Sequence, residues 1–146
     1  MAEAVPVIAH SSSPGFLTEI SMGRHSFFAD EPVKDGGEDK GPTPYDLLLA
    51  SLGACTCMTI RMYAAKKKLK LDDVKVYLLN SKVYASDCEN CETDDAAIDR
   101  VERIVELHGE LSDKEKEKII DIANKCPVFR SISKGLLIET YLKDAS

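Results

Sequence analysis

One apolar stretch, from Leu47 to Ile60, constrains the fold more than any other part of the sequence. It runs for 14 residues without a charged side chain, which is too short to span a bilayer, where about 20 residues are needed. A helix that is apolar on every side must be covered all round, by its own sheet and by a partner subunit. Pro44 suits a first helical turn, and Thr43 can cap it. The sequence therefore predicts one long buried helix at about residues 44–68 and no membrane span.

The segments around this helix have strand patterns. Residues 16–22 and 25–29 flank Gly23 and Arg24, and a two-residue loop with glycine in first position favours a type II′ hairpin. After the helix, apolar and polar residues alternate at 74–78, which predicts another strand.

The second half of the chain predicts a further helix between two apolar segments. Residues 98–111 fit one stripe of a helix or one face of a strand equally well, so periodicity leaves both open. The capping-box pattern at 112–115 starts a helix that ends near Lys125, and residues 135–141 predict a final strand. Because no repeat or linker interrupts the pattern, we expect a single α+β domain over residues 1–146.

Charge and composition exclude several classes of function. Lys and Arg total 19 against 25 Asp and Glu, which gives a net charge of −6. A nucleic-acid or anionic-membrane surface is disfavoured, because proteins that bind phosphates normally carry positive charge. With 44% hydrophobic and 30% charged residues, the chain has the balance of a soluble globular protein. The first residues lack a basic cluster followed by an apolar run, so we expect a cytoplasmic protein.

The chain has five cysteines, and the thiolate rather than the thiol is their reactive form. Cys126 precedes Pro127, so it either caps a short helix, where backbone N–H groups favour a thiolate, or ends the preceding helix as a small buried residue. Cys55 lies in the apolar helix, where burial alone raises a thiol pKa. A reactive Cys55 would need a cation from elsewhere. Arg24 at the hairpin tip is a candidate, and a solvated turn residue is its other interpretation.

The remaining cysteines are weaker candidates. Cys57 lies about 200° around the helix from Cys55, so the two cannot share one site, and we expect Cys57 to pack. Cys88 and Cys91 form a C-x-x-C motif among acidic residues, which raise thiol pKa values and disfavour a thioredoxin-like nucleophile. An acidic loop, a surface redox clip and half of a zinc site remain open for this motif. Of these three interpretations we expect the acidic loop, and therefore no metal.

Two motifs together resemble the OsmC/Ohr family. The first is GPTPYDLLLASLGACTCMTIRMY at 41–63, and the second is CPVFRSI at 126–132. The segment at 20–32 is similar to the YhfA-like branch of that family. The resemblance covers about residues 16–142 and implies an OsmC-like α+β fold with a strand at 98–109. It also implies an intertwined homodimer, with antiparallel sheets from both chains around long central helices.

The resemblance implies a thiol-dependent peroxidase that reduces organic hydroperoxides. Cys55 matches the peroxidatic position and Cys126 the resolving position, so a sulfenic acid at Cys55 would condense with Cys126 to a disulfide. A dithiol, for which a lipoyl group is one candidate, would reduce that disulfide by exchange. The implied partners are a second copy of the chain, the hydroperoxide and the dithiol. The sulfur carries both electrons, so no cofactor is implied.

This sequence departs from the family at the start of the long helix. The characterised peroxidases place a glutamate directly after the proline, where it orients an arginine towards the reactive sulfur. Here that position is Tyr45, and Asp46 follows about 100° further around the helix. We predict that Arg24 and Asp46 replace that pair beside Cys55. The alternative is a non-catalytic member of the fold that binds a small apolar ligand or senses redox state at the dimer interface.

Overall fold

The structure, a computed structural model, describes residues 4–12, 14–84 and 97–143. Cys88 and Cys91 lie outside the described residues. The chain divides into two compact units, of which the first ends at Ala50 and the second begins at Ser51. The single domain over residues 1–146 remains a prediction.

The first unit contains an antiparallel sheet of three strands in sequential order: β1 (Val7–His10), β2 (Thr18–Met22) and β3 (His25–Ala29). Gly23 has φ 60°, whereas Arg24 stays outside the left-handed region. Because only the first loop position needs positive φ, the turn is of type II′, as the Gly-Arg pair predicts.

A buried aspartate organises the loop that follows β3. Asp30 is 3% exposed, and its carboxylate accepts N–H groups of Glu31 at 2.8 Å, Glu38 at 3.2 Å and Lys40 at 3.1 Å. Burial raises the pKa of Asp30, but these three donors outweigh it and leave the pKa below its ordinary value. One carboxylate therefore fixes the loop that leads to the long helix.

The long helix α1 runs from Pro44 to Lys66, which confirms the predicted element with an end two residues earlier. Its start is held by a reciprocal cap. The N–H of Asp46 donates to Thr43 Oγ1 at 3.1 Å, and the N–H of Thr43 donates to Asp46 Oδ2 at 3.0 Å. Lys68, at φ 55°, then turns the chain out of the helix.

Helix α1 is apolar but largely uncovered in the single chain. Within the described residues it is the one helix long and apolar enough to cross a bilayer, with a mean hydropathy of 1.4 and 22% of that window buried. Core helices of soluble proteins meet the same criterion, so length and composition carry little weight here. Its most exposed apolar side chains are Met58 at 64% and Met62 at 74%.

The second unit contains one long antiparallel hairpin. Strand β4 (Lys70–Tyr84) pairs with β5 (Ala97–Glu110) from Lys70 opposite Glu110 to Tyr84 opposite Ala97. The ambiguous segment 98–111 is therefore a strand, because cross-strand pairing decides what its own periodicity leaves open.

The described part of the second unit also contains two short helices, α2 (Asp113–Ala123) and α3 (Pro127–Lys134). The predicted capping box is present at the start of α2. Near the C-terminal end of α2, Ile119 and Ala123 lie in the hydrophobic core cluster. The other buried members of this cluster are Ile60 and Ala64 of α1 and Leu71 of β4.

The capping box allows a direct stability test. Ser112 Oγ accepts the N–H of Glu115 at 3.1 Å, and Glu115 Oε1 accepts the N–H of Ser112 at 2.8 Å. We expect Ser112→Ala to lower the free energy of unfolding by about 1 kcal/mol, because the N–H of Glu115 loses its side-chain acceptor and the reciprocal cap is broken. Urea denaturation measures this change. The control Ser133→Ala, on the exposed end of α3, should change stability much less, and equal effects would contradict the assignment.

The predicted final strand is wrong. Residues 135–143 form no strand, and Leu137 and Leu142 are 89% and 97% exposed. A strand needs a neighbouring edge for its N–H and C=O groups, and an apolar segment alone does not supply one.

Candidate active site

The structure brings Cys55 and Cys126 together. Cys55 lies in the middle of α1, and Cys126 lies between α2 and α3. Both are free thiols, and their sulfur atoms are within hydrogen-bonding reach of each other. Both residues belong to the second unit, so this pairing is a feature of that unit alone.

The Cys-Pro step puts Cys126 at the N-cap of α3. Helix α2 ends at Ala123, and Pro127 takes the first position of α3, where its missing N–H costs nothing. Cys126 has φ −57° and ψ 128°, and its carbonyl accepts the N–H of Arg130 at 3.0 Å. Of the two interpretations that the sequence leaves open, the structure selects the helix cap.

The surroundings of Cys126 favour its thiolate. Burial raises the pKa of Cys126, but hydrogen bonding from Cys55, the N–H groups of Phe129 and Val128, and the Thr56 hydroxyl outweigh it and lower the pKa below its ordinary value. The sulfur makes no full capping hydrogen bond, so the two N–H groups act as close dipoles at the start of the helix.

Cys55 responds in the opposite direction. Burial, and then the neighbouring Cys126 sulfur, raise the pKa of Cys55, while the N–H of Val128 and the Thr59 hydroxyl act against this change. The two thiols therefore titrate as a pair, and the charge of the singly ionised pair rests on Cys126.

The two cysteines differ in their exposure to solvent. Cys126 is fully buried, at 0% exposure, whereas Cys55 is only partly buried. A reagent that enters from solvent therefore meets Cys55 first. The pair combines a partly exposed sulfur that holds its proton with a buried sulfur on which negative charge is favoured.

Comparison with known proteins identifies the family. A family model described as OsmC-like protein matches residues 37–140, which is most of the chain. The chain belongs to the OsmC-like family. No curated protein matches it.

Solved structures of other OsmC-like proteins have the same fold. An OsmC-like protein from Mycoplasma pneumoniae is 20% identical, with 91% of this chain and 89% of that chain covered and a TM-score of 0.71. An organic hydroperoxide resistance protein, OsmC, from Legionella pneumophila is 25% identical over 90% of each chain, with a TM-score of 0.65. An organic hydroperoxide resistance protein from Elizabethkingia anophelis is 20% identical over 89% of each chain, with a TM-score of 0.62.

Two other predicted site residues of this OsmC-like chain lie in the first unit. Arg24 occupies the exposed tip of the β2–β3 hairpin, and Asp46 is engaged with Thr43 in capping α1. Their association with Cys55 remains a prediction. Cys57, two residues beyond Cys55, is a partly buried free thiol.

Three polar residues near the cysteine pair, all in the second unit, were not among the predicted site residues. Thr56 and Thr59 flank the cysteine pair, and Arg103 on β5 donates to Thr56 Oγ1 at 3.1 Å. The threonines could have been found from helical spacing, because Thr59 lies one turn after Cys55. Nothing in the sequence around Arg103 distinguishes it from a solvated strand residue.

Among the described residues of this OsmC-like protein, no group of three or more His, Cys, Asp or Glu side chains could hold a metal ion. His108 instead pairs with Glu106, with its Nε2 2.6 Å from Glu106 Oε1.

Proposed function

We propose that this protein is a thiol-dependent peroxidase that reduces organic hydroperoxides with Cys55 and Cys126. The observation that carries the proposal is that the two free sulfurs lie within hydrogen-bonding reach of each other, one partly exposed and one buried at a helix N-terminus. Such a reaction needs one sulfur that the peroxide can reach and a second sulfur that can close a disulfide.

The reaction begins from the singly ionised pair. The proton on Cys55 passes to Cys126, and the Cys55 thiolate attacks the distal oxygen of the hydroperoxide. A sulfur–oxygen bond forms, the oxygen–oxygen bond breaks, and the leaving alkoxide takes the proton from Cys126. The peroxide is thereby reduced to an alcohol, and Cys55 is oxidised to a sulfenic acid.

The second step closes the disulfide. The Cys126 thiolate attacks the sulfur of the Cys55 sulfenic acid and expels hydroxide, so both sulfurs end oxidised and no electron is left unassigned. A dithiol then returns both sulfurs to the reduced state by exchange. We propose a lipoyl-type dithiol as one such reductant.

The names of the relatives agree with this chemistry, because the proteins from Legionella and Elizabethkingia are organic hydroperoxide resistance proteins. We extend the proposal to an intertwined homodimer, for which the uncovered apolar side chains of α1 supply a reason. Within it, we propose that Arg24 and Asp46 approach Cys55. Membership of the YhfA-like branch and a cytoplasmic location, where thiols stay reduced, are part of the same proposal.

The stoichiometry of oxidation tests the proposal. Fully reduced protein treated with one equivalent of cumene hydroperoxide should lose two thiols and about two mass units, because one disulfide forms. Peptide mapping should recover Cys55 joined to Cys126. Thiols that survive this treatment unchanged, or a disulfide that joins other cysteines, would contradict the assignment.

A cleft in the first unit supports a second candidate, a non-catalytic protein that binds a small apolar ligand. The cleft has a volume of about 580 Å³, and its apolar lining includes Ala9, Phe16, Ile20 and Leu47. Thiols inert to peroxide, together with binding of an apolar fluorescent probe that Ile20→Glu abolishes, would favour this candidate.

A further inference from the structure

Arg103 connects three helical elements of the second unit to β5. Its Nη1 donates to Thr56 Oγ1 on α1 at 3.1 Å and to the carbonyl of Ala123 at the end of α2 at 3.2 Å. Its Nη2 donates to Asn124 Oδ1 at 2.7 Å. The guanidinium carbon also lies 4.7 Å from the centre of the Phe129 ring on α3. One half-buried side chain thus holds together the elements that carry Cys55 and Cys126.

Thr56 links this arginine to the sulfur pair. Thr56 is fully buried, and its hydroxyl donates to the carbonyl of Leu52 at 2.7 Å and also lies within reach of Cys126. A hydroxyl has a single proton, so it donates to one of these acceptors at a time. Because Arg103 occupies the acceptor side of Oγ1, the proton points away from the guanidinium, towards Leu52 or Cys126.

Each element packed around Cys126 contributes charged or neutral groups near its sulfur. Within the described residues, the hydrogen-bond network around Cys126 includes Cys55 of α1 and Arg103 of β5 as its titratable or charged groups. The end of α2 contributes the neutral groups of Ala123 and Asn124. The start of α3 contributes backbone N–H dipoles. A hydroxyl proton directed towards a buried sulfur favours the anion, because few water molecules compete with it.

We propose that Arg103 is a positioning residue for the Cys55–Cys126 pair: by occupying the acceptor side of Thr56 Oγ1, it keeps the hydroxyl proton on the side where Leu52 and Cys126 lie, so that negative charge can be held on the sulfur that closes the disulfide. The inference rests on the proposed function only in taking this pair as the redox site. It assigns to the pair a cation from β5, in addition to the arginine expected from the N-terminal hairpin.

Titration of the thiols tests this role without peroxide. We would measure thiolate ultraviolet absorbance against pH in the full chain with Cys57, Cys88 and Cys91 replaced by serine, so that only the pair titrates. Arg103→Met should raise the midpoint of the first ionisation by about one pH unit, because the thiolate loses its oriented donor. Thr56→Val should raise it by a similar amount.

The double variant distinguishes positioning from a general loss of packing. If Arg103 acts through Thr56, the midpoint in Arg103→Met with Thr56→Val should equal that of either single variant, since the second change removes nothing more. Arg103→Lys, which keeps the charge, should restore part of the shift. The matched control is Arg100→Met on the same strand, where Arg100 forms an exposed ion pair with Glu102 at 3.1 Å. It should leave the midpoint unchanged.

Additive shifts in the double variant, or an unchanged midpoint in both single variants, would overturn the proposal. Should Arg103→Met not fold, Thr56→Val and Arg103→Lys decide the question, because a wild-type midpoint in Thr56→Val excludes the hydroxyl route. An inactive peroxidase with these shifts intact would refute the proposed reaction and leave the role of Arg103 standing.

Discussion

Cys55→Ser should lower the rate of hydroperoxide consumption by about a thousandfold or more, because a serine hydroxyl stays protonated where a thiol ionises. Cys126→Ser should behave differently. The accessible sulfur remains, so this variant should consume about one equivalent of peroxide and then stop at a sulfenic acid, with no partner to close the disulfide. Peroxide consumption with a dithiol donor measures the rate of Cys55→Ser. For Cys126→Ser, peroxide consumption without a donor and a sulfenic-acid trapping reagent measure the single turnover.

Cys57→Ser provides the matched control for both variants. Cys57 lies two residues from Cys55 on the same helix and is also a partly buried free thiol. Because it faces about 200° away from Cys55, its removal should leave the rate unchanged. A Cys55→Ser variant that still turns over, or a Cys57→Ser variant that loses turnover, would place the reactive sulfur elsewhere.

Ile119→Ala should lower the free energy of unfolding by about 2–5 kcal/mol. Ile119 is fully buried, at 0% exposure, in the cluster formed by α1, β4 and α2, so truncation leaves a cavity as well as losing burial. Urea denaturation at a fixed protein concentration measures the change, because any self-association would make the apparent stability depend on concentration.

The adjacent residue serves as the control for this prediction. Ile120 is 45% exposed, so Ile120→Ala should cost less than about 1 kcal/mol although the chemical change is identical. The comparison isolates burial from helix propensity, since both positions lie on α2. Equal losses for the two variants would contradict the packing of Ile119 in the core.

Local signals predicted the elements whose determinants lie within a few residues. Gly23 defines the hairpin turn, Ser112 and Glu115 define the start of α2, and the apolar stretch defines α1. The segment 98–111 was ambiguous because its structure depends on pairing with β4, and the periodicity of the segment itself does not show that pairing. The strand predicted at 135–141 is absent because a sequence pattern does not provide a neighbouring edge.

The residues of the candidate site also fall into those that local sequence predicts and those that it does not. The family motifs pointed to Cys55 and Cys126, whose sulfurs are in contact in the structure. They gave no indication of Arg103, because its hydrogen-bond partners are 47 residues before it and 20 and 21 residues after it. Such long-range polar contacts become visible only when the strand and the helices are assembled. The association of Arg24 and Asp46 with Cys55 remains a prediction.

The N–H of Val128 acts on both sulfurs, and this has a consequence for the proposed disulfide between them. In a Cys55–Cys126 disulfide the negative charge disappears, so this amide, the helix dipole behind it and the Thr56 hydroxyl lose the anion that they solvate. Groups that stabilise only the reduced form raise a reduction potential. In the proposed reaction, we therefore expect the oxidised pair to be a comparatively good electron acceptor, and the start of α3 to favour regeneration by an ordinary dithiol.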